Sequence, residues 1–99
     1  MADYRITYWQ DIPSQVEAFD DTERIRRPLS ARFQALIDTA AMRQGLVGTD
    51  AYLDGWWVGP ILAREGPPRE VADAVAADLE ARFEEIRARA WRDRHGPGR

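Results

Sequence analysis

Arginine offers the most chemistry in this 99-residue chain, because all fourteen basic side chains are arginine and none is lysine. A guanidinium presents a rigid fork of donors that grips carboxylates and phosphates bidentately, which an ammonium cannot do. GC-rich codons, which favour alanine, arginine and glycine together, produce the same enrichment without any function, so position has to decide. Arg24 and Arg26 alternate within ERIRR, and Arg5 holds the equivalent parity in YRITYW. As strands, these segments put Arg5, Glu17, Arg24 and Arg26 on one sheet face, and parity adds Trp9 to it. Tryptophan and arginine dominate interface hot spots, so this face reads as a docking surface. A solvated face with cross-strand ion pairs is the plainer alternative. Arg24, Arg26 and Arg43 together form a second option, contacts for an anionic metabolite on a small enzyme or ligand-binding subunit.

The other chemistry-bearing residues are sparse. GTDAYLDGWWVGP sets Trp56 beside Trp57, and neighbouring side chains of a strand point to opposite faces. One ring enters the core and the other stays outside. With Trp57 facing the helices, Trp56 joins Trp9 in an exposed aromatic patch; a bulge would reverse the pair. His95, the single histidine, sits at a helix end, where it meets the last carbonyls. Glu84-Glu85 and Asp20-Asp21 lie where solvation is expected, whereas paired acid–base work needs burial to separate two pKa values. With no cysteine there is no thiolate zinc site and no Cys nucleophile. No catalytic residue, metal or cofactor is expected.

The elements that position these groups follow from periodicity. Residues 4–9, 15–19 and 23–27 read as strands, with Gln10 to Ser14 as a loop because Pro13 cannot donate to a ladder. A two-residue turn at Asp20-Asp21 sets Val16 opposite Ile25 and Glu17 opposite Arg24, matching apolar with apolar and acid with base. Ser30 is the N-cap of a helix whose stripe is Phe33, Leu36, Ile37, Ala40 and Ala41, closed by Gly45 with Leu46 folding back. Thr49 or Asp50 caps a single helical turn through Leu53. WWVGPILAR is a fourth strand, with a bulge or edge position at Gly59-Pro60. A final helix carries Val71, Val75, Leu79, Phe83, Ile86 and Ala90 on one stripe. From Pro68 to Arg94 it runs roughly 40 Å at ~1.5 Å per residue. That exceeds the ~33 Å diameter of a domain this size, so Trp91 overhangs and meets a partner or a second copy, giving a possible homodimer.

The order β-β-β-α-β-α defines an α+β fold, an antiparallel sheet of three to four strands with two helices on one face. Residues 1–94 form a single domain and 95–99 a frayed tail. Its formal charge of −3 argues against nucleic acid, whose binding rests on positive charge. No stretch approaches the ~18 apolar residues of a membrane span, and the start lacks a signal pattern. A cytoplasmic protein is expected.

Three stretches, RITYWQDIPSQV, FQALIDTAAMRQGLVGTDAYLDGWW and EVADAVAADLEARF, resemble the small proteobacterial "virulence factor" family. A similar domain occurs in the staphylococcal conserved virulence factor C. The resemblance extends over residues 3–83 and supplies no catalytic residue. It implies an accessory protein of folate-linked one-carbon or methyl-transfer metabolism, with an enzyme of that metabolism as its partner. The hairpin AFDDTERIRR departs from the family by its acidic turn. The expected function is a binding module that docks on a larger protein through Trp9, Arg24, Arg26, Trp56 and Trp91.

Overall fold

Alternation of side chains builds the first three strands, and a computed structural model describes residues 1–94, with side chains through Trp91. They are β1 (Ala2–Trp9), β2 (Ile12–Phe19) and β3 (Arg24–Pro28). Helices α1 (Ala31–Arg43) and α2 (Asp50–Asp54) follow, then strands β4 (Trp56–Val58) and β5 (Leu62–Arg64), and helices α3 (Pro68–Ala81) and α4 (Phe83–Arg94). The fold is α+β as expected. The five strands form one sheet ordered β3-β2-β1-β4, with β5 also on β1, and each of the pairs is antiparallel. Helices α1, α3 and α4 pack on β2, and α3 reaches β1 and β3 as well. The tail 95–99, with His95, lies outside the described residues.

Two expected elements are each divided. The fourth strand is interrupted at Gly59-Pro60-Ile61, and pairing slips there by one residue. From Thr7 back to Tyr4, β1 moves three positions while its partner moves four, from Val58 to Leu62. The Gly59 N–H still donates to the Ile6 carbonyl at 2.8 Å, so the interruption is a bulge on an edge strand. The final helix breaks at Arg82, whose φ of −100° and ψ of 12° leave the helical region. Neither proline nor glycine causes it. Arg32 donates to the freed Glu80 carbonyl at 2.7 Å, while the Glu80 carboxylate accepts from the Ser30 N–H at 2.6 Å and hydroxyl at 2.8 Å. The end of α3 is thereby fastened to the start of α1, and Phe83 meets Phe33 edge-on at 5.0 Å.

Ser30 stands at the N-cap of α1, but its hydroxyl serves Glu80 and makes no cap bond. At the other end, Gly45 with φ +71° closes the helix as anticipated. The Leu46 N–H returns to the Ala41 carbonyl and that of Gly45 to Met42, the pair of bonds that satisfies orphan carbonyls. The five stripe residues of α1 are buried, together with Val71, Val75, Leu79, Ile86 and Ala90. Thr49 caps α2 by accepting from the Tyr52 N–H.

The β2–β3 hairpin corrects the expected register. Val16 faces Arg27, Glu17 faces Arg26 and Ala18 faces Ile25, so the loop is two residues longer than a tight turn. The Asp20 carboxylate holds that loop open, accepting from the Thr22 and Glu23 N–H groups at 2.8 and 3.0 Å. Because the displacement is two residues, side-chain parity survives and the arginine face is unchanged.

Candidate functional site

Glu17 is the centre of that face. It is 6% exposed, the single buried charged residue among those described. Three guanidiniums surround it: Arg5 Nε at 2.7 Å, Arg24 Nη1 at 2.9 Å and Arg26 Nε at 3.3 Å. Burial acts to raise the carboxyl's pKa, but hydrogen bonds from Arg24, Arg5 and Arg26 prevail and hold it down to about 2. The arginine side chains keep 36%, 51% and 67% of their surface in water, so they shield the carboxylate while facing outward. Phe19 lies beside the cluster, with Arg24 4.6 Å and Arg5 5.6 Å from its ring centroid. Asp3, opposite Phe19 across the strands, shares the parity without an ion pair to the cluster. The face thus carries more positive than negative charge on an acidic chain.

Trp9 is not part of this face. It is fully buried, its indole N–H donates to the Tyr52 carbonyl at 2.8 Å, and the Tyr52 ring stands 5.6 Å away. Next to it lies a one-residue register shift between Thr7 and Tyr8. Gln15 pairs with Thr7 and Pro13 with Tyr8, which leaves Ser14 as the extra residue of a bulge. Proline, lacking an N–H, is tolerated at such a point, so β2 begins at Ile12 where a loop was expected. Past the shift Trp9 lies opposite Ile12, itself buried, and an odd-numbered side chain enters the core.

The tryptophan pair takes the reversed arrangement. Trp56 is half-buried, packs against the core and meets Tyr52 edge-on at 6.3 Å, so it too leaves the docking set. Trp57 is the outer ring, 48% exposed. It stacks on Tyr8 with centroids 4.7 Å apart and planes at 18°, and its N–H donates to the Gln10 carbonyl at 2.8 Å. Period-two alternation identified the pair; nothing in it said which ring goes in.

Arg43 and Trp91 also stand elsewhere than expected. The break at Arg82 lays α4 beside α1, so Trp91 does not overhang the core. Trp91 is half-buried against the core, with the Arg43 guanidinium 4.8 Å from its ring. Arg43 therefore serves the α1–α4 contact while Arg24 and Arg26 serve Glu17. The three do not assemble into one anion site. Two partners of the real cluster escaped the sequence reading, Phe19 and the shared grip of three arginines on Glu17. Their equal parity on adjacent strands was the available signal.

Beyond this face, Asp38, Ala41, Met42, Val47, Gly48 and Tyr52 line an apolar cavity of about 260 Å³. An open cleft of about 390 Å³ lies among Gln10, Asp11, Ala51, Asp54, Gly55 and Trp57. Among the described residues no group of three or more His, Cys, Asp or Glu side chains is placed to hold a metal ion. No described helix is long and apolar enough to cross a membrane. No curated protein and no solved structure matches the chain. The model of a family described as "Virulence factor" matches residues 7–90, across the sheet, the arginine face and the helices that back it, and the chain belongs to that family.

Proposed function

We propose that this protein is a cytoplasmic binding module that docks on a larger protein through the sheet face bearing Arg5, Arg24 and Arg26. The observation that carries the reading is the arrangement around Glu17: three guanidiniums are oriented by one buried carboxylate, yet each keeps a third or more of its surface in water. Fixing these side chains in advance reduces the entropy lost when a partner engages them. Excess positive charge selects an acidic partner surface and speeds its approach. The family resemblance supplies the first partners to test, enzymes of folate-linked one-carbon and methyl-transfer metabolism.

Capture with the immobilised protein provides the test, comparing wild type with an Arg24→Glu/Arg26→Glu variant. The expected result is an acidic partner that is retained at low salt, released at high salt and lost with the variant. Retention of the same partner by the variant would overturn the assignment of this face.

A further inference from the structure

We infer that the partner of this face adds a strand to the sheet, which rests on the docking function proposed above. An extended acidic segment pairs antiparallel along the free edge of β3 and sets two carboxylates beside Arg24 and Arg26. β3 ends the strand order β3-β2-β1-β4, so one side of its backbone has no neighbouring strand. Its register with β2 is unbroken over all five residues, whereas Gly59-Pro60-Ile61 interrupts the opposite edge. An antiparallel ladder alternates residues that exchange hydrogen bonds with residues that turn those groups away. The phase is set at both ends of the hairpin. The Asp20 N–H donates to the Glu23 carbonyl at 3.0 Å, and the Leu29 N–H to the Ser14 carbonyl at 2.9 Å. Between these bonds, the register gives Ile25 and Arg27 the backbone groups that face β2. The N–H and C=O of Arg24 and Arg26 therefore point to the open edge. Pro28, which has no N–H to offer, takes the next outward position. The Arg27 guanidinium reaches the Arg26 carbonyl at 3.4 Å, a long contact that an incoming N–H replaces.

The same two residues carry their side chains onto the Glu17 face, and charge selects what pairs there. Three guanidiniums share one carboxylate, so the cluster keeps two positive charges in excess. Arg24 reaches Glu17 through Nη1 and Arg26 through Nε. With 51% and 67% of their side chains in water, both keep further N–H donors for a second carboxylate. Main-chain bonds to an edge supply affinity, and alternate side chains supply specificity. Residues two apart on the added strand stand opposite Arg24 and Arg26, and the one between lies beside Ile25, which packs on the core. The segment thus reads acid, apolar, acid. Asp20, Asp21 and Glu23 make the hairpin tip acidic, which confines the two acids to the Arg24 and Arg26 positions. A second copy of β3 is disfavoured, because antiparallel pairing about Ile25 sets Arg24 against Arg26.

Titration of ¹⁵N-labelled wild-type protein with modified peptides, followed by NMR and amide hydrogen exchange, tests it. The parent probe is acetyl-Thr-Glu-Val-Glu-Thr amide. One derivative is N-methylated at both glutamates, whose N–H groups would face β3. The other is N-methylated at the valine and the final threonine, whose N–H groups would face away. The parent and the second derivative are expected to shift the Arg24 and Arg26 Nε–H signals and to slow exchange of the Arg24 and Arg26 amides. The glutamate-methylated peptide, with the same charge, should bind about tenfold or more weakly, on the scale of two lost main-chain hydrogen bonds. Equal guanidinium shifts with all three peptides, without protection of those two amides, would overturn strand addition and leave the docking face standing. No response to any of them at millimolar concentration would overturn the docking function and strand addition together. Protection of the same amides in the free protein, rising with its concentration, would replace the acidic segment with a second copy.

Discussion

Replacing Glu17 by Gln leaves the shape of the arginine cluster and removes its only partnered negative charge. A carboxyl lowered from 4.5 to about 2 stabilises the folded state above the unfolded pKa, and at ~1.4 kcal/mol per decade this amounts to about 3 kcal/mol. The guanidiniums are open to water at 36%, 51% and 67%, and solvent screening reduces their share; about 2 kcal/mol is the expected loss. For a domain of this size that is roughly 8–16 °C in Tm. The pH dependence carries the stricter test. A depressed carboxylate contributes in full above the unfolded pKa and loses its contribution as pH falls toward the folded one. The gap between wild type and Glu17→Gln should thus be constant near neutrality and close progressively between pH ~4.5 and ~2. Urea unfolding across that range measures it. Equal stability at pH 7, or a gap that persists undiminished at pH 2, would refute the reasoning.

Two further experiments probe the supports of the sheet. A Cβ on Gly55 would stand 2.6 Å from the Trp9 indole nitrogen, and Trp9 is too deeply buried to yield, so Gly55→Ala should cost about 1–3 kcal/mol in denaturant unfolding; an unchanged midpoint would contradict the Trp9 placement. A double-mutant cycle between Ser30→Ala and Glu80→Ala should show coupling of about 0.5–1.5 kcal/mol, since Ser30 bonds Glu80 and not its own helix. Additive losses would restore the simple N-cap reading.

Local chemistry was legible and tertiary adjustment was not. The stripe of α1, the Thr49 cap and the closure at Gly45 depend on neighbouring residues, and each stands where spacing put it. The parity joining Arg5, Glu17, Arg24 and Arg26 was legible for the same reason, and it tolerated a two-residue error in the hairpin. A one-residue shift is less forgiving. Beside the bulge opposite Thr7 and Tyr8, Trp9 lies in the core and not on the face, and alternation contains no mark of either. The break at Arg82 depends on Arg32 and Ser30 binding Glu80 across 48 and 50 positions of the chain. No helix-breaking residue announces it.

The central claim is that the Glu17-centred arginines form a docking face for an acidic partner. The most direct measurement is an NMR titration with a Glu- and Asp-rich peptide, observing the guanidinium Nε–H signals and the amides of β1 to β3. The account predicts that Arg5, Phe19, Arg24 and Arg26 shift together, that salt suppresses the response, and that Arg24→Glu/Arg26→Glu abolishes it. Shifts centred on another surface, or an unchanged spectrum at millimolar peptide, would contradict it.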